Sequence, residues 1–262
     1  MLTNYQLEEF SSNGVIRLEQ FLPLDIVSAV QESILQLAEE EGVWHDGIWQ
    51  LGEYPNRPRF TKKREVLRPL ITDKLLQAVD ILVDGQKVKT QGDPGMLFTW
   101  PQDGVWTVPT AWHIDLPRQP LPGVPAVQLF TFLAPVPPSC GGTLVVAGSH
   151  RLFNNGKYIR SKELIEQLQE YSYFKELMAK EVPNRKRFLT TSGSAEEVDL
   201  QVVELHGDPG DTYLVDMRAL HTGSTNKANV PRLMVTQRFY LESTMSRSFR
   251  GLKSLKKNAR NS

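Results

Sequence analysis

Apolar positions recur at helical spacing in the first third of the chain and at strand spacing beyond it. Thr3 or Asn4 can cap a short helix through Phe10 that closes at Asn13-Gly14, and Val15-Ile16-Arg17-Leu18 follows as a short strand. Pro23 suits a helix's first turn. Val27, Val30, Ile34 and Leu37 then fall on one face of a helix running to about Glu40. Leu75, Leu76, Val79, Leu82 and Val83 mark another helix, ended by Gly85. From about Lys87 the period shortens. Residues 96–100, 107–113, 127–133, 143–147, 201–205, 212–216 and 232–240 are short β-branched or aromatic runs, separated by Pro- and Gly-rich turns. Many short strands with such punctuation predict a sandwich, barrel or jelly roll.

One interruption stands out. Residues 152–200 form an insert between two strands, with a helical stretch over 161–180 and a polar loop over 190–197. Its position predicts a mobile lid over a binding mouth. The division expected is helical framing over 1–86, a β core over 87–240 carrying this insert, and a basic tail over 241–262, all in one domain. The tail's last sixteen residues hold Arg247, Arg250, Lys253, Lys256, Lys257 and Arg260 without an acid. They read as a frayed, solvated helix or as a surface for an acidic partner.

Composition narrows the class. Thirty Lys+Arg balance thirty Asp+Glu, so no global field draws the chain to nucleic acid or to an anionic membrane. A single cysteine, Cys140, cannot form an internal disulfide, and no Cys/His spacing suggests a structural zinc module. No apolar run approaches the ~18 residues of a membrane span, and the N-terminus lacks a leader pattern. A cytoplasmic protein acting on a small molecule is expected.

The chemistry concentrates on histidines. In Trp112-His113-Ile114-Asp115 an imidazole and a carboxylate stand two residues apart, and in extended chain such residues share a face. His221 follows the 212–216 strand, and Arg232 begins the last strand eleven residues later. Two histidines and a carboxylate on one face of a metal leave the opposite face open, an arrangement that favours Fe(II) with a chelating co-substrate and O2. Arg232 could meet the chelator's far carboxylate with a forked, charge-assisted pair. His45, His150 and His206 read as structural, His150 as a hydrogen-bonding residue of a turn. Trp100, Trp106 and Trp112 fit either a pocket lining or the core.

In this order the motifs resemble the phytanoyl-CoA dioxygenase family of Fe(II)/2-oxoglutarate oxygenases. The matching elements are Glu9-Phe10, Asn13-Gly14-Val15, Phe21-Leu22, His113-Ile114-Asp115, Gly141-Gly142-Thr143-Leu144, Gly148-Ser149-His150-Arg151, Gly210-Asp211 and His221, Asn226, Arg232. The resemblance implies a double-stranded β-helix (jelly-roll) core. It implies that His113, Asp115 and His221 ligate iron and that Arg232 binds 2-oxoglutarate. It also implies oxidation of a small organic molecule by O2, with release of succinate and CO2. Ile114 stands where the family often has Gln, and Thr222 precedes Gly223-Ser224 where the family often has Gly-Ser directly after the distal histidine. A carboxylate at position 115 favours hydroxylation over halogenation. The rival readings are a cupin-like metal enzyme that does not use 2-oxoglutarate, and a non-catalytic binding module on the same fold.

Overall fold

The computed structural model describes residues 1–50, 58–119, 121, 123–154 and 156–244. The basic residues of the tail, from Arg247 on, lie outside them.

Helix α1 (Asn4–Asn13) begins at Thr3, whose side chain accepts from Gln6 N while Gln6 returns a bond to the Thr3 N–H. This reciprocal cap satisfies two otherwise orphaned donors. The helix ends at Gly14 in the left-handed conformation (φ 69°). Only glycine fits there, since a Cβ would sit 2.4 Å from the His150 ring. After β1 (Val15–Leu18), α2 (Leu24–Glu40) buries Val27, Val30 and Ile34 as its stripe requires. A small hairpin, β2 (Trp44–His45) and β3 (Ile48–Trp49), and two short 3-10 turns lead to α3 (Asp73–Leu82), capped by Thr72.

The β region holds β4 (Val88–Thr90), β5 (Gly95–Thr99), β6 (Ala126–Phe132) and β7 (Thr143–Ala147). Then come the insert helices α4 (Ser161–Leu168) and α5 (Ser172–Met178), and β8 (Gly193–Ala195). The chain finishes with β9 (Val198–Glu204), β10 (Thr212–Asp216), β11 (His221–Gly223) and β12 (Arg232–Leu241). Six strands make one sheet in the order β1-β10-β6-β12-β4, with β5 also paired to β12. Four make the facing sheet, β11-β7-β9-β8. All pairings are antiparallel, and the two sheets form the double-stranded β-helix.

The central strands are apolar on both faces because both faces are covered. In β6, Val127 and Leu129 meet α1 and α3, whereas Phe130 and Phe132 point between the sheets. In β7, Val145 and Ala147 point inward, while Leu144 and Val146 meet the insert. Period-2 alternation is therefore hidden in these runs.

Three expectations need correcting. Residues 107–113 do not form a strand. Pro109 offers no ladder donor, and the carbonyls of Val108 and Pro109 are taken by the buried Arg185 guanidinium. Next, the 161–180 stretch is two helices. Continuing the Leu164/Leu168 stripe in one straight helix would turn Lys175 inward, and the break brings Tyr173, Phe174 and Leu177 to the core instead. Finally, the insert is not a loosely attached lid. Leu164, Leu168, Phe174, Leu177 and Phe188 are sealed against β7, β9 and the segment carrying Trp106, Val108, Trp112 and Ile114. At ~1.5–3 kcal/mol for each buried large apolar side chain, this face ties the insert to the β core.

His150 locks α1 to the β core. Its Nε2 lies 3.1 Å from the Ser11 carbonyl, and the adjacent Gly148 N–H donates to Asn13 O at 2.8 Å. Burial lowers the His150 pKa below the ordinary histidine value. The unfolded chain, with a histidine pKa near 6.5, then takes up this proton at higher pH than the folded chain. Stability linked to His150 is present above about pH 6.5 and is lost as pH falls below it. Glu204, pushed up to about 7 by burial, acts in the opposite sense. The expected result is therefore a difference between proteins. Midpoints of thermal unfolding from pH 7 to 5 should fall less steeply in His150→Asn than in the wild type, and parallel curves would refute the linkage.

Candidate metal centre

The site lies where the two sheets meet the extended segment around His113. His113 N–H donates to His221 O at 3.1 Å and His221 N–H to His113 O at 2.9 Å, a narrow antiparallel pair that sets the rings 4.3 Å apart. Asp115 faces the same side as His113, as the H-x-D spacing predicts, although no strand surrounds it. His113 Nε2 lies 3.8 Å from Asp115 Oδ1, and His221 Nε2 lies 3.7 Å from Asp115 Oδ2. One ligand atom from each of the three falls within 4.8 Å of the others, close enough to share one cation.

The surroundings aim these donors. His221 sits on β11, held by pairing with Val145, and its Nδ1 is 3.1 Å from the Ala219 carbonyl. A carbonyl partner requires N–H at Nδ1, so the Nε2 lone pair faces Asp115. Burial lowers the His221 pKa, which keeps the ring neutral and able to ligate. The Gly-Ser-His-Arg turn has a mechanical part. Ser149 Oγ accepts from Leu220 N at 2.9 Å and donates to Val146 O at 2.6 Å, tying the residue before His221 to β7.

Arg238 was not foreseen. Its Nε and Nη2 both reach Asp115 Oδ2, at 2.9 and 2.5 Å. The fork leaves Oδ1 as the freer oxygen and fixes the plane of the carboxylate. Strand parity carried the missing signal, since Arg238 lies six residues after Arg232 and faces the same way.

Arg232 points between the sheets. Its Nε donates to Leu97 O at 3.2 Å and its Nη1 to Gly141 O, while Nη2 has no partner among the described residues. Burial without a neighbouring acid drops its pKa to about 10. A guanidinium desolvated in this way calls for an anion. It lines a cavity of about 630 Å³ that runs along β5 and β12 to Arg238. Small-molecule sites span roughly 300–1,000 Å³. Two nitrogens, one carboxylate and a buried cation awaiting an anion thus suit Fe(II) with a dicarboxylate chelator.

Other residues have structural places. Trp106 and Trp112 are core, with their indole N–H groups on Ser224 Oγ and Pro109 O. Trp100 stacks edge-on against Phe98 in the layer under α2. Asn226 is fully buried and bonds Thr99 O, Val230 O and Ala228 N, shaping the loop into Arg232.

A jelly roll with two histidines, a carboxylate and a buried arginine on its inner face defines a class of non-haem iron oxygenase. The phytanoyl-CoA dioxygenase (PhyH) family model matches residues 10–234, and the chain belongs to that family. It is an Fe(II)/2-oxoglutarate-dependent oxygenase. Its fold is shared with EctD from S. alaskensis, solved with bound Fe (17% identity, TM-score 0.58, covering 93% of this chain and 78% of that one). It is also shared with AviO1 from Streptomyces viridochromogenes Tue57 (18%, 0.56, 93% and 98%). A third similar structure is the non-haem α-ketoglutarate-dependent carbocyclase SnoK from nogalamycin biosynthesis (17%, 0.55, 91% and 84%). No curated protein matches the chain. No helix among the described residues is long and apolar enough to cross a membrane.

Proposed function

We propose that this chain is one oxygenase domain that hydroxylates a small organic molecule, with His113, Asp115 and His221 holding iron and Arg232 holding the distal carboxylate of 2-oxoglutarate. The observation that carries this reading is the pairing of a three-donor cluster with a buried guanidinium that has no acid partner. When bound, iron and co-substrate supply the oxidation: O2 and 2-oxoglutarate are consumed, succinate and CO2 leave, and a substrate C–H becomes C–OH.

The chain's own part is positional. Arg238 holds the outer oxygen of Asp115, and Ala219 O holds the ring of His221, so the donors converge before any ligand arrives. Phe130, Phe132, Val145 and Met234 make the wall behind the site dry, which strengthens the pairing of Arg232 with a carboxylate. Structures with the same fold support the co-substrate, since EctD has been solved with 2-oxoglutarate and 5-hydroxyectoine. A balanced overall charge and a single unpaired cysteine, Cys140, fit a cytoplasmic enzyme that does not bind nucleic acid.

Arg232→Ala is the test. Losing one partner of a charge-assisted bond costs roughly 1.5–3 kcal/mol, or about a ten- to 150-fold weakening. The KM for 2-oxoglutarate should rise by about that much while iron still loads, and Arg232→Lys should recover part of it, because the charge remains but the fork is lost. An unchanged KM in Arg232→Ala would remove the assignment.

A further inference from the structure

The cavity between Arg232 and the mouth is one-sided in charge. Its lining includes Lys62, Arg64, Arg232 and Arg238 and, among the described residues, no acid. Among the described residues, none of these cations has a counter-charge to itself. Arg232 meets only carbonyls. Arg238 has Asp115, but a carboxylate that ligates a metal is shared with it. Arg64 is held by the carbonyls of Pro94 and Asp93, while both oxygens of the Asp93 side chain are engaged by Arg68. Lys62 makes no ion pair with a described residue.

Bound iron and 2-oxoglutarate do not remove this excess. The charge of a divalent cation cancels that of a dianion, so among the described residues four cations still face one carboxylate. Arg232 is spent on the co-substrate and Arg238 on Asp115, which leaves Lys62 and Arg64 at the outer end. Both come from the short 3-10 turns that pack beside β5, a strand that among the described residues pairs only with β12. A cavity of about 630 Å³ has space for a second molecule beside a five-carbon dicarboxylate. In a cleft with low-dielectric walls such an excess attracts anions and repels cations.

We propose that the prime substrate is a small organic anion, a carboxylate or a phosphate ester, whose charged end is held by Lys62 and Arg64 while its reacting carbon points to the metal centre. The proposal rests on the function proposed above. It places the substrate's charge at the mouth and leaves the deep guanidinium to the co-substrate. Cationic molecules are excluded, and neutral ones gain nothing from this wall.

The test uses the whole protein loaded anaerobically with Fe(II) and saturating 2-oxoglutarate, titrated calorimetrically at low ionic strength with butyrate, butyl phosphate and 1-butanol. At least one anion should bind saturably and at least about tenfold tighter than the alcohol, and the better of the two identifies the headgroup. In Lys62→Gln/Arg64→Gln that anion's affinity should fall at least about tenfold, while 2-oxoglutarate affinity stays unchanged. Both positions are exposed, and an unchanged melting temperature would establish that the variant folds. Absence of saturable anion binding, equal binding of the alcohol, or an unaffected double variant would each overturn the proposal. Displacement of the anion by 2-oxoglutarate would also do so, by putting it on Arg232. Failure of the iron-loaded protein to bind 2-oxoglutarate in a separate titration would instead refute the function on which the proposal rests.

Discussion

Replacing His221 by alanine should lower Fe(II) affinity by at least about 100-fold and abolish coupled succinate formation. Loss of a partner one bond removed from a metal typically costs 10–100-fold, so loss of a donor atom sets a larger floor. His221 is the most constrained of the three donors. It is buried on β11, its ring is fixed by Ala219 O, and its backbone pairs with His113. The remaining His113–Asp115 pair lies at a more open edge, with half of the His113 side chain exposed, and two donors there cannot replace three. His113→Ala should follow the same course, whereas His150→Ala should still load one iron per chain because His150 bonds Ser11 and faces α1. Anaerobic iron titration with quantitation of bound metal reads the outcome. Stoichiometric iron in both His113→Ala and His221→Ala would place the metal elsewhere.

Arg118→Ala should cost at least about 3 kcal/mol of stability. The guanidinium is completely buried and donates to three carbonyls: Leu152 O at 2.8 Å, Arg218 O at 2.7 Å and Ser149 O at 2.7 Å. Removing it strands three buried acceptors, at ~1–3 kcal/mol each before relaxation or water entry, and leaves a cavity besides. Burial lowers the pKa of Arg118 to about 10, and the charge of Asp216 opposes that shift. Asp216 is itself gripped bidentately by Arg218, so truncation does not orphan a carboxylate, and this keeps the expected loss short of abolished folding. Arg118→Met should lose less, since it refills volume while leaving the carbonyls bare. Urea denaturation of both variants gives the measurement. A loss under about 1 kcal/mol in Arg118→Ala would mean that water or local rearrangement replaces the network. Because Ser149 and Arg218 flank the path into His221, weaker iron binding should accompany the loss.

Much of the molecule is legible along the chain, for identifiable reasons. The stripes of α2 and α3 and the cap at Thr3 depend on neighbours within four residues, so local pattern carries them. The β runs are legible as strands because β-branched and aromatic residues cluster between turn formers. Their pairing is not, since β6 is buried on both faces and shows no alternation to set its register. The H-x-D pair is legible because its members stand two residues apart, and they face the same way even where the expected strand is missing.

Tertiary structure decided the rest. The 107–113 segment lost its strand to Arg185, which lies more than seventy residues away in sequence and spends its donors on carbonyls of that segment and of α5. Arg118, Arg185, Arg232 and Arg238 look alike as letters, yet one staples loops, one caps a helix, one reaches carbonyls between the sheets and one grips Asp115. Their partners are mostly backbone carbonyls of irregular segments, which carry no residue-specific signature. An arginine's role is then set by which carbonyls and carboxylates the folded chain delivers to it, and no local pattern encodes that delivery.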